Sequence, residues 1–325
     1  MIRGLRDGFG AAGRNWGLAL ALLVLNLGAA ALLALPLADA LEEGLAQRDA
    51  AQNMLHGFDY GWWSEWSERQ TGFAKDFGPE LFGVGFVFRN LELLLAGQLP
   101  AGLFAAGGGA ARAVAQVDPT VLALGAAYLL LQTFLAGGLL GVLRAPESGW
   151  TVRGVLHGSG FYFGRMFRLL LVVLAVDGLV FALNGPFASW ANTRAREAVS
   201  ENTALVFLFG RHALLLLALL FVHLLAGYAK AILVVEERSS ALLAFVSSLG
   251  FCLRNLGRTV GHYAVLAALA VLLAAAWAAL DAAWPVSGYR TQLPSLVLAQ
   301  LLVGGRIFLR LALMGGQVAL YRRSA

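Results

Sequence analysis

The sequence predicts an all-α fold, a polytopic membrane bundle of six transmembrane helices arranged as three hairpins with interfacial elbow helices. Three observations predict it. Of 325 residues, 59% are apolar and only 13% charged, with a mean hydropathy of +0.72, outside the range of soluble globular domains. Six stretches, 17–38, 120–143, 167–185, 212–235, 260–281 and 295–318, approach the about 20 apolar residues that cross the hydrocarbon core. The basic residues also segregate by side. With the N-terminus taken as cytoplasmic, that side holds thirteen Arg and Lys against four acids, and the opposite side eight against fourteen.

That asymmetry predicts both termini on the cytoplasmic side of a bacterial inner membrane. The pI near 9.7 then reports contact of basic loops with anionic lipid heads, and nucleic acid is not an expected partner. Three divisions follow: 1–38 as an N-terminal elbow and first span, 39–119 as an extracytoplasmic insertion with interfacial helices, and 120–325 as a five-span membrane bundle.

The first span ends near Ala38-Asp39-Ala40, a small-residue pattern resembling a signal cleavage site. The apolar run and the polar region before it are both long for a signal peptide, so a retained helix is expected. Asn26 falls near its middle.

The insertion of 81 residues contains HGFDYGWWSEWSERQTGF (56–73), dense in aromatics and acids. Trp62, Trp63 and Trp66 suit an aromatic belt at the headgroups, with a carbohydrate- or peptide-stacking surface as the alternative. The apolar stretch 80–111 is interrupted by Arg89, Asn90 and Glu92, and reads as a surface-lying or re-entrant helix pair hinged at Pro100. Gly107, Gly108 and Gly109 lack the Lys-Ser/Thr that a phosphate loop needs.

In the second span Gly125, Tyr128, Gln132 and Ala136 form a small and polar stripe, and Gly137 with Gly141 makes a GxxxG pair suited to close helix contact. The third carries Asp177 near its middle, with Asn184 seven residues on. On the fourth, His212, His223 and Lys230 line one stripe at helical spacing. The fifth has no polar residue at mid-depth. The sixth holds Arg306 and Arg310 one turn apart on one face.

A charged side chain in hydrocarbon costs about 2.5–3.5 kcal/mol on insertion scales. Asp177 is the single acid at that depth, so the sequence predicts that it pairs with Arg306 or Arg310. Asn26, Gln132 and His223 complete a polar layer of six residues. One reading makes this layer interhelical glue; the other makes it a midplane chamber where a solute or a proton relay through His223 and Asp177 could sit.

Catalytic signatures are missing. There is no HExxH, no GxSxG and no pair of acids within the spans, and histidines at helical zinc spacing are lacking. The single Cys252 excludes an internal disulfide and reads as a small buried apolar residue. No catalytic residue, metal or cofactor is expected.

Three cytoplasmic segments resemble one another, GFGAAGRNW (8–16), GFYFGRMFR (160–168) and GFCLRNLGR (250–258). Each opens Gly-Phe, carries Arg shortly after, and precedes an odd-numbered span. They predict three repeated units, each an interfacial elbow helix followed by a two-span hairpin.

Within 231–273, a span ends in Val234-Val235-Glu236, an interfacial segment carries Ser247 and Ser248, and Arg254-Asn255 precedes the next span. This pattern resembles uncharacterised bacterial six-helix membrane proteins and the membrane domain fused to some glycerophosphodiester phosphodiesterases. The resemblance implies architecture and membrane residence. It carries over no catalytic residue, because the phosphodiesterase domain has no counterpart in this chain.

The leading functional expectation is a non-enzymatic membrane protein that binds a membrane partner or supports an assembly. The alternative is a transporter or permease component for a small anionic or amphipathic solute. The expected partners are the lipid bilayer and either another membrane protein or further copies of this chain.

Overall fold

The computed structural model describes residues 2–46, 50–53, 59–72, 74, 119–283 and 289–324. The proposed helix pair at 80–111 lies outside the described residues. Among those described there are helices and no strands: α1 (Ile2–Arg14), α2 (Trp16–Leu45), α3 (Ala50–Asn53), α4 (Tyr60–Arg69), α5 (Pro119–Arg144), α6 (Val152–Glu197), α7 (Glu201–Val235), α8 (Ala241–Arg254), α9 (Leu256–Ala283) and α10 (Tyr289–Ser324). Six of them, α2, α5, α6, α7, α9 and α10, are long and apolar enough to cross a membrane. The fold is therefore the expected all-α membrane-type bundle, and the Arg323–Asp7 ion pair brings its first and last helices together on one face.

Two of the three elbows form, and the same side-chain geometry makes each. At Asn15 the backbone leaves the helix (φ −113°, ψ 35°), and Nδ2 donates to the Ala11 carbonyl at 3.0 Å. At Asn255 it leaves at φ −122°, ψ 32°, and Nδ2 donates to the Phe251 carbonyl at 3.2 Å. A short amide side chain competes for the backbone groups of its own helix and so favours a break. The middle copy has Arg165 where Asn255 stands. With no Asn there, α6 runs unbroken through 160–168 for 46 residues, so the elbow expected before the third span is absent.

At about 1.5 Å per residue α6 is about 69 Å long, more than twice the hydrocarbon thickness. The segment 186–203, which follows the expected end of the third span, is mostly helix. Only Ala198–Ser200 connects α6 to α7. Trp190 stacks on Phe187 and meets Phe207 edge-on, holding the tip of that hairpin together.

The core lies toward the face with the termini. Residues Tyr228–Val234 of α7 are buried among α5, α6, α8 and the end of α10, apart from the half-buried Lys230. Glycine permits the closest approaches. A Cβ on Gly138 of α5 would strike the Val155 carbonyl of α6, and one on Gly158 would lie 3.1 Å from Gly138 Cα. Of the expected GxxxG pair only Gly137 takes part, where a Cβ would lie 2.5 Å from Tyr162 Cβ of α6, while Gly141 faces open space. The elbow α1 likewise seats Gly8 against the backbone of Ala312 and Gly316 in α10, and Arg323 pairs with Asp7 at 2.6 Å.

The turn Glu236–Arg238 after α7 ties these elements together. Arg144 donates to the Val234 carbonyl and to Glu237 Oε1, both at 2.9 Å. Arg165 donates to the Glu237 carbonyl at 3.1 Å, Tyr321 donates to Glu236, and Arg238 reaches Ser247 Oγ at 2.7 Å. Glu237 takes a positive φ of 54°, a strained backbone for a residue with a Cβ, held by these contacts. Glu236 and Ser247 thus fix the connection between α7 and α8.

Candidate functional site: an arginine-lined groove between the first, second and sixth spans

α10 occupies the centre of the bundle, packed on α1, α2, α5, α7 and α9, whereas α6 packs on α5, α7 and α8. The first hairpin is splayed: α2 and α5 flank α10 without packing closely on each other. Between the three helices lies an open groove of about 860 Å³. The segments leading into and out of the 39–119 insertion border the end of this groove that faces away from the termini.

The groove is built from one face of each helix. α2 contributes Asn26, Ala30 and Leu33, α5 contributes Leu124, Gly125 and Tyr128, and α10 contributes Gln300, Arg306 and Arg310. Tyr128 Oη donates to Asn26 Oδ1 at 2.7 Å, bridging the splayed hairpin. Arg310 Nη1 donates to Gln132 Oε1 at 2.8 Å. Both arginine side chains are exposed to the groove. Four residues apart, they lie about 6 Å from each other along the helix axis, and no carboxylate among the described residues lines the groove.

The structure therefore corrects the expected ion pair. Asp177 is half-buried on α6 and pairs with no cation among the described residues. Its helix does not pack on α10, so depth in the membrane matches while direction does not. The expected relay between His223 and Asp177 is not assembled either. His223 on α7 meets the ring of Tyr263 on α9 edge-on, with centroids 6.0 Å apart. Lys230 lies within electrostatic reach of Arg310, so the surroundings of the groove hold a cation beyond those of its lining.

Of the six residues predicted for the polar layer, four meet here: Asn26, Gln132, Arg306 and Arg310. His223 and Asp177 stand apart. Two glutamines of α10 had not been singled out, and one of them belongs to the site. Gln300 lines the groove, and Gln317, seven residues beyond Arg310 on the same face, is buried against Gly227 of α7. The signal for Gln317 was available, since it continues the polar face of Arg306 and Arg310 on an otherwise apolar helix.

Away from the groove, Trp62 and Trp66 form neither a belt nor an open stacking surface. They stack on each other at 5.5 Å, only 6% and 5% exposed, with their indole N–H groups directed at the carbonyls of Gly44 and Ala40. They dock α4 onto the end of α2. Cys252 is buried, and burial pushes its thiol up to about 12, which keeps it protonated and unreactive.

Comparison of the chain with protein-family models, with curated proteins and with solved structures gives no match.

Proposed function

We propose that this is a membrane protein that binds an anionic amphipathic solute in the groove between α2, α5 and α10 and serves its passage, as a transporter or permease component. One observation carries the reading: two guanidinium groups face an open, largely apolar groove that no carboxylate lines among the described residues. Arginines serving as glue would be expected to meet an acid, because pairing offsets the cost of charge in hydrocarbon. Here Arg310 is solvated by a neutral amide and keeps its full charge for a ligand. Arg306 and Arg310 would take a carboxylate or phosphate, for which the guanidinium fork is suited. Ala30, Leu33 and Leu124 would face the apolar part. The cations place this function above the partner-binding role expected from the missing catalytic motifs. The arginine distribution supports a bacterial inner membrane with cytoplasmic termini.

The test is native mass spectrometry of the protein in mild detergent, titrated with oleate and with its neutral analogue oleyl alcohol. Oleate should be retained with at least tenfold preference. Arg306→Gln and Arg310→Gln should each reduce that preference by a similar factor while the helical circular dichroism signal of the folded protein is retained. Equal retention of acid and alcohol, or unchanged preference in both variants, would overturn the reading.

A further inference from the structure

A second cation cluster lies outside the groove, on the face with the termini. Arg3 of α1, Arg258 in the first turn of α9 and Arg323 at the end of α10 line a cavity of about 540 Å³ with Ile2 and Leu320, and no acid among the described residues lines it. The three arginines are distant in sequence. They converge because α1 is docked backbone to backbone on α10: Gly4 admits the Leu320 side chain, and Gly316 lies against the buried His262 of α9. Arg323 is oriented from its other side by Asp7. The side chains of Arg3 and Arg258 have neither an ion pair nor a hydrogen bond among the described residues.

Depth identifies the ligand class. α9 begins at Leu256 and α10 ends at Ser324, so the cavity lies where chains enter and leave the bilayer, at headgroup level. Seventeen residues of α10 separate Arg323 from Arg306, about 25 Å at 1.5 Å per residue, so the cavity is separate from the groove. With Asp7 balancing one of the three guanidiniums, two positive charges remain. The apolar Ile2 and Leu320 edges suit the start of an acyl chain, and a cavity of this size exceeds what a bare phosphate fills.

We propose that this cavity is a binding site for a phospholipid whose headgroup bears two negative charges, a phosphomonoester of the phosphatidate class, drawn from the leaflet on the termini side. Arg3 and Arg258 fork the terminal phosphate and Arg323 closes the third side. Bidentate guanidinium contacts to phosphate are the reason for arginine at all three positions. The site fastens the first elbow, the fifth span and the end of the sixth to one lipid, so occupancy should also raise thermal stability.

The experiment uses the full chain with Arg306→Gln, so that the groove does not contribute, titrated with dioleoyl phosphatidate or dioleoyl phosphatidylcholine and read by native mass spectrometry. One phosphatidate should be retained at least tenfold more tightly than phosphatidylcholine, and the melting midpoint should rise with it. Arg3→Gln with Arg258→Gln should abolish the preference. Arg3→Lys with Arg258→Lys, which keeps the charge and the fold but loses the fork, should weaken it by a smaller factor and serves if the Gln pair does not fold. Unchanged preference in both pairs would overturn the proposal. So would equal retention of phosphatidylcholine, or equal stabilisation by millimolar inorganic phosphate, which would indicate a site for the free ion.

Discussion

Arg310 reaches across from the sixth span to the side-chain oxygen of Gln132 in the second, at 2.8 Å. The partner of this intramembrane cation is a neutral amide, which solvates the guanidinium and leaves its charge in place. Hydrogen bonds to charged groups contribute about 1.5–3 kcal/mol, so Gln132→Leu should lower the melting midpoint in detergent. Gln132→Glu should behave oppositely, holding or raising stability while reducing oleate binding at least tenfold, because the added carboxylate occupies Arg310. If the Glu variant binds oleate as well as the parent, Arg310 is not part of the anion site.

The elbows depend on asparagine at the bend. Asn255→Leu removes the amide bond to the Phe251 carbonyl and supplies a good helix former. The lost hydrogen bond should cost about 1 kcal/mol, and α8 should tend to continue straight into α9. Spin labels at Leu249 and Ala267, in a Cys252→Ala background, should then move apart. An unchanged distance distribution would mean that packing of α8 on α7, and not Asn255, sets the bend.

These elbows show what the sequence made legible. The number of spans and the depth of each polar residue follow from apolar run lengths, because the bilayer fixes thickness. The Gly-Phe repeat marked three candidate elbows, but the physical cause of bending is the asparagine, present at 15 and 255 and replaced by Arg165 in the middle copy. Direction around the bundle axis was not legible. Asp177 lies at a depth similar to that of Arg306, yet α6 and α10 are separated by their neighbours, and only the helix arrangement reveals it. Asn26, Gln132, Arg306 and Arg310 do converge, because α2, α5 and α10 are adjacent.

Helix approach should be limited by Gly138 and not by Gly141. A methyl group on Gly138 would collide with the backbone carbonyl of Val155, which cannot rotate away. Gly138→Ala should therefore destabilise by about 1–3 kcal/mol, the usual range for overpacking. Gly141→Ala points into open space and removes a helix-interior glycine, which should stabilise by about 0.5–1 kcal/mol. Melting midpoints of the two variants in one detergent decide between them. Equal effects would restore the GxxxG face.

Acid should loosen the segment that docks on the first span. Asp59 caps α4 by accepting the Trp62 backbone N–H at 3.0 Å, and that hydrogen bond, followed by one from Asn53, holds its carboxyl below the ordinary 3.8. A carboxyl lowered on folding contributes stability that is present above its unfolded value and lost as pH falls through the folded one. The near-ultraviolet circular dichroism of the stacked Trp62–Trp66 pair should therefore weaken as pH is taken below about 4. Asp59→Asn, which caps without a charge, should remove that pH dependence while keeping the signal, and Asp59→Ala should lose signal at every pH. A transition that persists unchanged in the Asn variant would assign the acid sensitivity to another carboxylate.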